Sequence, residues 1–355
     1  MFFVEEPEHD PNGPPRWERT NPERNVHVLR PRTPVPAPGF HPDQLPALEP
    51  LIGALRQELT EPLLAWLYTP MALPLARLLE PDAAVYDCMD ELSLFLGAPP
   101  ELLSREAELL EYADVMFTGG PSLFRAKQPR HPNVHCFPSS VDAAHFRLTD
   151  AEGRPVSEAE DQAELPHPRL GFYGVIDERL DLRLVDAVAA AHPDWQLILV
   201  GPVVKIDPAT LPSRPNIHYL GQRTYQELPR YLAGWDVCLL PFARNDATRF
   251  ISPTKTLEYM AAELPIVSTP ITDVAEPYGE IVYLGRTPEE FIAACEAALT
   301  ADPAERARRT TEMRRVLAGT SWDVTVSAME HLLAASLRAS SARINRKDSR
   351  FSHAT

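Results

Sequence analysis

The segment Ser252-Pro253-Thr254-Lys255-Thr256-Leu257-Glu258 carries the sharpest local chemistry in the chain. Serine is a favoured helix N-cap and proline a favoured first helical residue, so a helix is predicted to begin here with Lys255 in its first turn. A cation there opposes the helix dipole at a cost of about 0.3–1 kcal/mol, unless an anion lies beside it. The chain has only four lysines against thirty arginines. A lysine so placed is a candidate anion ligand at a helix N-terminus, the alternative being a solvated ammonium that pairs with Glu258 one turn on. A carboxylate at that depth can also accept hydrogen bonds from the hydroxyls of a sugar. Upstream, Gly171-Phe172-Tyr173-Gly174 ends a predicted strand and Ile176-Asp177-Glu178-Arg179 leads into a helix. Glycine at a strand end admits a ligand to the backbone, or simply makes a tight turn; Arg179 adds a cation at the same rim.

These residues need a scaffold that brings strand ends together, and the second half of the chain supplies its pattern. Strands are predicted at 170–175, 196–200, 217–220, 237–241, 266–269 and 281–284, with helices at 180–191, 225–233, 254–263 and 288–299 between them. Repeated βα units with short connections demand a parallel sheet covered by helices on both faces. The first half alternates too, with strands at 63–68, 83–87, 115–118 and 134–137 and helices at 43–62 and 101–112. Before them, twelve prolines between Pro7 and Pro50 leave room for one short strand, 26–29. Residues 149–168, acidic and punctuated by Gly153 and three prolines, are predicted to be an exposed linker. The resulting division is 1–148, a linker 149–168, a second domain 169–320, a helix 321–337 and a basic tail 338–355. Disorder is the reading of that tail, with docking to a lipid surface as its alternative.

Composition narrows the function. A formal net charge of −16 disfavours a general binder of nucleic acid, whose phosphates need a positive surface. Cys88, Cys136, Cys238 and Cys295 show no Cys-x-x-Cys spacing, so no zinc site or disulfide framework is predicted, and a reducing cytoplasm fits. The start of the chain has no basic stretch followed by a long apolar region, and the longest uncharged run, 62–76, is too short to span a membrane. No aspartates stand two apart, so no Asp-x-Asp metal site is expected.

Taken together, 166–335 resembles the nucleotide-sugar domain of glycosyltransferase family 4, the retaining enzymes of GT-B fold with two Rossmann-like domains facing a central cleft. The likeness rests on Gly171-Phe-Tyr-Gly174, Leu197-Ile-Leu-Val-Gly201, Tyr219-Leu-Gly221, Trp235-Asp-Val-Cys-Leu-Leu-Pro241 and the run from Lys255 to Pro270. Pro138-Ser-Ser-Val-Asp142-Ala-Ala-His-Phe146 is similar to the end of that family's first domain. The resemblance implies that Arg179 and Lys255 contact the donor diphosphate, with Ser252 and Thr254 beside them at the helix start. It implies that Glu258 binds the ribose, that the Gly171 to Gly174 turn meets the phosphates, and that backbone near Gly201 and Gln222 holds the base. Two positions depart from the family. Phe250 stands where a donor-sugar glutamate is common, which passes that role to Asn245, Asp246, Thr248 or Arg249. Met89 stands where relatives carry a histidine, which leaves Asp90 or Asp87 as the acidic group there, or as caps of the next helix. No cofactor and no metal are implied; the donor is a nucleotide-diphosphate sugar, and the acceptor a hydroxyl on a glycan or lipid-linked molecule. An inactive nucleotide-binding scaffold and a nucleotide-sugar epimerase are the competing readings. By the same resemblance, Phe2 to Glu5 reads as a buried second strand, so one βα unit of the first domain is expected to be missing upstream.

Overall fold

The computed structural model describes residues 1–60, 62–150 and 152–351, with side chains described as far as Ala339. It holds three sheets. Strands β1 (Phe2–Val4), β2 (Glu8–His9), β3 (Arg16–Glu23) and β4 (Val26–Thr33) form the first, in which β1 and β2 lie parallel to β4 and β3 forms a hairpin with it. The prolines suggested a single short strand here. Pro31 stands opposite Trp17 in that hairpin, and on the other edge of β4 it falls between the pairing of β1, which ends at Leu29, and that of β2, which begins at Arg32, so neither of those two parallel ladders needs its missing N–H. Nor is β1 buried: Phe2 and Phe3 are 36% and 42% exposed, because among the described residues β1 is an edge strand paired only with β4.

After α1 (Leu45–Glu58), whose Leu48, Ile52 and Leu55 face inward at helical spacing, comes a parallel sheet in the order β5-β6-β7-β8. Its strands are β5 (Leu64–Leu67), β6 (Ala83–Cys88), β7 (Val115–Thr118) and β8 (Val134–Cys136), connected by α2 (Leu73–Leu78), α3 (Leu102–Tyr112) and α4 (Pro121–Lys127). Strand β6 is buried along its whole length, as a central parallel strand covered on both faces must be. Among the described residues, β5 pairs only with β6, so the N-terminal half contains two sheets rather than one.

Residues 149–168 differ from the predicted exposed linker. They include a short helix, α5 (Glu160–Ala163), and Gln162 is fully buried, accepting a hydrogen bond from the Trp235 indole and donating one to the Tyr231 carbonyl. The acidic residues find arginines of the second half, Asp161 on Arg223 and Glu158 on Arg169. Phe146, before the predicted boundary, already lies in the core of the second half.

That half is a six-stranded parallel sheet in the order β11-β10-β9-β12-β13-β14, made of β9 (Arg169–Tyr173), β10 (Gln196–Val200), β11 (Ile217–Gly221), β12 (Val237–Leu240), β13 (Ile266–Ser268) and β14 (Tyr283–Leu284). Helices α6 (Leu182–Ala191), α7 (Leu228–Leu232), α8 (Lys255–Ala261), α9 (Thr272–Tyr278), α10 (Pro288–Thr300) and α11 (Pro303–Ala318) flank it. The chain first adds strands on one side of β9 and then on the other, so the carboxyl ends of β9 and β12 form a topological switch point, where such sheets bind ligands. Finally α12 (Trp322–Phe351) returns to the first half, where Met329, Leu332 and Leu333 pack on Val85, Val115 and Phe117. The segment expected to be a disordered tail continues this helix through Phe351, since Ala339 and Ala342 are strong helix formers with no proline or glycine to interrupt them. Residues 352–355 of that tail lie outside the described residues. Among the described residues, no helix is long and apolar enough to cross a membrane.

Candidate active site

Lys255 opens α8, and its side chain lies across the end of β9. A Cβ on Gly174 would stand 2.3 Å from Lys255 Cε and 2.8 Å from Nζ. Gly174 has φ 139 and Gly201, at the end of the neighbouring β10, has φ 148. A Cβ on Gly201 would strike the Gly174 carbonyl oxygen at 1.9 Å. Two glycines therefore bring two backbones together beneath one ammonium, and the Phe172 ring lies 5.8 Å from Nζ. Burial lowers the Lys255 pKa, against the attraction of Glu258. The helix begins later than its sequence suggested: Thr254 rather than Ser252 is its N-cap residue, and no side chain caps it. Ser252 faces the first half, against Gly120.

Glu258 lies one turn deeper, where the Tyr173 hydroxyl donates to its Oε2 at 2.5 Å. Burial raises the Glu258 pKa, and Tyr173 and Lys255 oppose the rise. Arg179 is held on buried Asp177, with Nη2 to Oδ2 at 2.7 Å, and this pairing raises its pKa. From the first half, Phe95 stands over Arg179 and Lys205 at 5.5 Å each, while the Leu96 amide donates to Glu178 Oε1 at 3.1 Å. Asp90, on the same loop as Phe95, is raised by burial, with the Arg179 charge acting in the opposite direction. Farther along the interface the Ser122 amide donates to Asp273 Oδ1 at 2.9 Å and Arg125 pairs with Glu276 at 2.8 Å. The two halves thus face each other with Lys255, Arg179, Glu258 and Asp90 on the walls between them.

Other predicted site residues are placed differently. Gly171 lies within β9 beneath the Trp235 indole, where a Cβ would meet the ring at 2.0 Å. It serves packing, and Gly174 alone of that pair reaches the strand end. Thr248 is buried, its hydroxyl donating to the Ala243 carbonyl and its amide to Asn245 Oδ1 in a reciprocal cap, so the hydroxyl is already engaged within its loop. Gln222 is exposed on the loop after β11, where Gly221 adopts φ 71. Phe250, standing where a sugar-binding glutamate was expected, packs on the hydrophobic cluster of the first half. Tyr173, Asp177, Phe95 and Lys205 were not assigned roles from sequence. Lys205, one of four lysines, had that scarcity as a signal; the pairing of Tyr173 with Glu258, 85 residues away, had none.

Asp87, the alternative acid beside Asp90, is only 4% exposed; burial raises its carboxyl to about 6, against the Trp66 indole N–H donated at 3.0 Å. Its unfolded value is about 3.9. The folded state therefore holds more protons between about pH 4 and 6, and stability falls as pH rises through that window, then levels. Asp87→Asn is expected to be more stable than the parent by about 1–3 kcal/mol at pH 7.5 and about equal to it at pH 4. Denaturant unfolding at the two pH values checks this, and a pH-independent difference would refute it.

Known proteins resemble the chain in sequence and in fold. Residues 167–301 match the sequence profile of the family described as glycosyl transferases group 1. That segment, most of the second half of the chain, resembles the group 1 glycosyl transferases. It is 26% identical over 274 residues to TuaH of Bacillus subtilis strain 168, named as a teichuronic acid biosynthesis glycosyltransferase, a match spanning 71% of this chain and 67% of the relative. Its fold is similar to sucrose-phosphate synthase of Thermosynechococcus elongatus, with a TM-score of 0.71 at 19% identity, covering 96% of this chain and 89% of the other. It is also similar to Anabaena HepE, solved with UDP and glucose, with a TM-score of 0.64 at 16% identity, covering 87% and 86%. The chain therefore has the GT-B architecture of these glycosyltransferases, two α/β halves about a cleft.

Proposed function

We propose that this protein is a glycosyltransferase of the group 1 type, dependent on a nucleotide sugar, and that it moves the sugar of a nucleotide-diphosphate sugar to a hydroxyl of a glycan or lipid-linked acceptor, with retention and without a metal or cofactor. The observation that carries the reading is Lys255, a half-buried ammonium at the start of a helix and directly above Gly174 at the switch point of the sheet. Negative charge develops on the leaving diphosphate as the glycosidic bond breaks. Lys255 and Arg179, the latter held in place by Asp177, are fixed cations aimed where that charge appears, which is the electrostatic assistance worth most in a water-poor site. Glu258, oriented by Tyr173, accepts hydrogen bonds from the ribose hydroxyls. Exposed Gln222 and the backbone around Gly201 border the base, and Thr254 lines the phosphate side, with Ser252 turned toward the first half. Asp90 is the acidic group of the opposing wall. The acceptor hydroxyl attacks on the face the nucleotide leaves, which retains the anomeric configuration. The glycan acceptor is supported by the likeness to TuaH, and the four unpaired cysteines suit a reducing cytoplasm.

The test is nucleotide release from a panel of UDP-, GDP- and ADP-sugars, with and without excess EDTA. At least one donor is expected to turn over slowly in water, with equal rates in EDTA and an α-product from an α-donor. Loss of activity in EDTA that magnesium or manganese restores would contradict metal independence. Binding without turnover of any donor would favour the scaffold reading, and interconversion of two nucleotide-sugars in the absence of acceptor the epimerase reading.

A further inference from the structure

A second lysine stands apart from the donor site. Lys127, the last residue of α4, is 1% exposed, and its Nζ lies 2.5 Å from Glu91 Oε2 and 2.5 Å from Glu106 Oε1. Glu106, on α3, also receives Arg130 Nη1 at 2.7 Å and the Tyr86 hydroxyl at 3.2 Å. Burying such a cluster is costly, and replacing buried ion pairs by apolar residues is often neutral or stabilising. An apolar core would serve stability as well, so the cluster calls for a reason beyond stability.

That reason lies at Glu91. Its second oxygen accepts from the Ser93 hydroxyl at 2.8 Å, so both carboxylate oxygens are tied, one to the core and one to the next turn of its own loop. The residue before it is Asp90, whose carbonyl accepts from the Cys88 thiol at 3.3 Å. Cys88 is itself fixed, its carbonyl accepting from the Gly119 amide at 3.0 Å. The backbone of Asp90 is thereby anchored from both sides. Its carboxylate, by contrast, makes no hydrogen bond among the described residues and lies within reach of the Arg179 charge on the opposite wall. Five residues after Asp90, the same loop carries Phe95 over Arg179 and Lys205.

We propose that Lys127 is a positioning residue: held on Glu106, it pins Glu91 and so fixes the loop 89–95 with the Asp90 carboxylate directed at the reacting sugar. The inference rests on the role given to Asp90 above. Lys127 touches neither donor nor acceptor, and its effect passes through the loop.

Three variants test it: Lys127→Met, Glu91→Gln and Asp90→Asn. Glu91→Gln matters because removing a buried ammonium from between two carboxylates can prevent folding, whereas Glu91 lies at the rim and its amide is isosteric. Hydrogen exchange, which needs no substrate, is expected to speed up at the amides of 89–95 in Lys127→Met and Glu91→Gln while those of β9 and β10 stay unchanged. With the best-hydrolysed nucleotide-sugar of the panel, kcat is expected to fall about tenfold or more in both, with donor KM and the affinity for its nucleoside diphosphate within twofold of the parent. In an Asp90→Asn background, adding either substitution is expected to lower kcat no further. Unchanged exchange in the loop, or a kcat loss that persists undiminished in the Asp90→Asn background, would overturn the proposal. Full activity of Asp90→Asn itself would instead overturn the reading of Asp90 on which it rests, and the proposal with it.

Discussion

Lys255→Ala is expected to lower donor turnover by about 10²–10³-fold, the loss seen when one fixed stabiliser of developing negative charge is removed, equivalent to roughly 3–4 kcal/mol of transition-state stabilisation. Folding is expected to survive. The ammonium opens α8, where it opposes the helix dipole, and burial already disfavours its charge. Its removal therefore leaves stability unchanged or raised by about 0.3–1 kcal/mol. Activity and stability moving in opposite directions is the signature of a residue retained for a ligand. Arg179 is a less clean target, because its removal strands buried Asp177 without its cation. Arg179→Lys, which keeps the charge but not the forked contact to Asp177, is expected to retain more activity than Lys255→Ala. Steady-state kinetics with thermal unfolding of the same samples checks both, and turnover of Lys255→Ala within threefold of the parent would contradict the assignment.

Gly201→Ala is expected to have the largest effect on the scaffold of the site. At φ 148 an alanine is strained, and its Cβ would fall 1.9 Å from the Gly174 carbonyl oxygen, a backbone atom with no freedom to rotate away. The ends of β9 and β10 must then separate, at a cost of about 3 kcal/mol. Because Lys255 rests on Gly174, that separation also displaces the ammonium from the switch point. Gly221→Ala is the contrast: it too has a positive φ, at 71, but among the described residues beyond its chain neighbours an added Cβ would meet only the Arg223 guanidinium, at 3.8 Å. It is expected to cost about 1 kcal/mol of local strain and little activity. Denaturant unfolding of the two variants compares them, and equal stabilities would show that the close approach of the two strands is not the determinant.

Much of this architecture was legible in sequence because its signals are local. Alternating apolar runs and helical repeats reveal each βα unit of the second half, and their succession leaves a parallel sheet as the economical solution. Lys255 was legible for a similar reason, since proline and serine mark a helix start without reference to the rest of the chain. What escaped depends on partners far apart in sequence. Tyr173 reads as an apolar strand residue until Glu258 arrives beside its hydroxyl. Thr248 reads as a free hydroxyl until Asn245 and Ala243 engage it, and Phe250 becomes intelligible only once the first half supplies a hydrophobic surface. The N-terminal hairpin was hidden by its prolines, whose effect depends on which side of the strand needs an N–H. The acidic segment 149–168 looked like a linker because its arginine partners, Arg169 and Arg223, belong to the domain that follows.

The central claim is that Lys255 recognises a diphosphate, and titration calorimetry tests it most directly. The nucleoside diphosphate that most raises the melting temperature, chosen from UDP, GDP and ADP, is titrated into the parent and Lys255→Ala, alongside the matching monophosphate. The parent is expected to prefer the diphosphate by at least about tenfold, or roughly 1.4 kcal/mol, and the variant to bind the two nearly equally, with its monophosphate affinity unchanged. A variant that keeps the parent's full preference for the diphosphate would contradict the account.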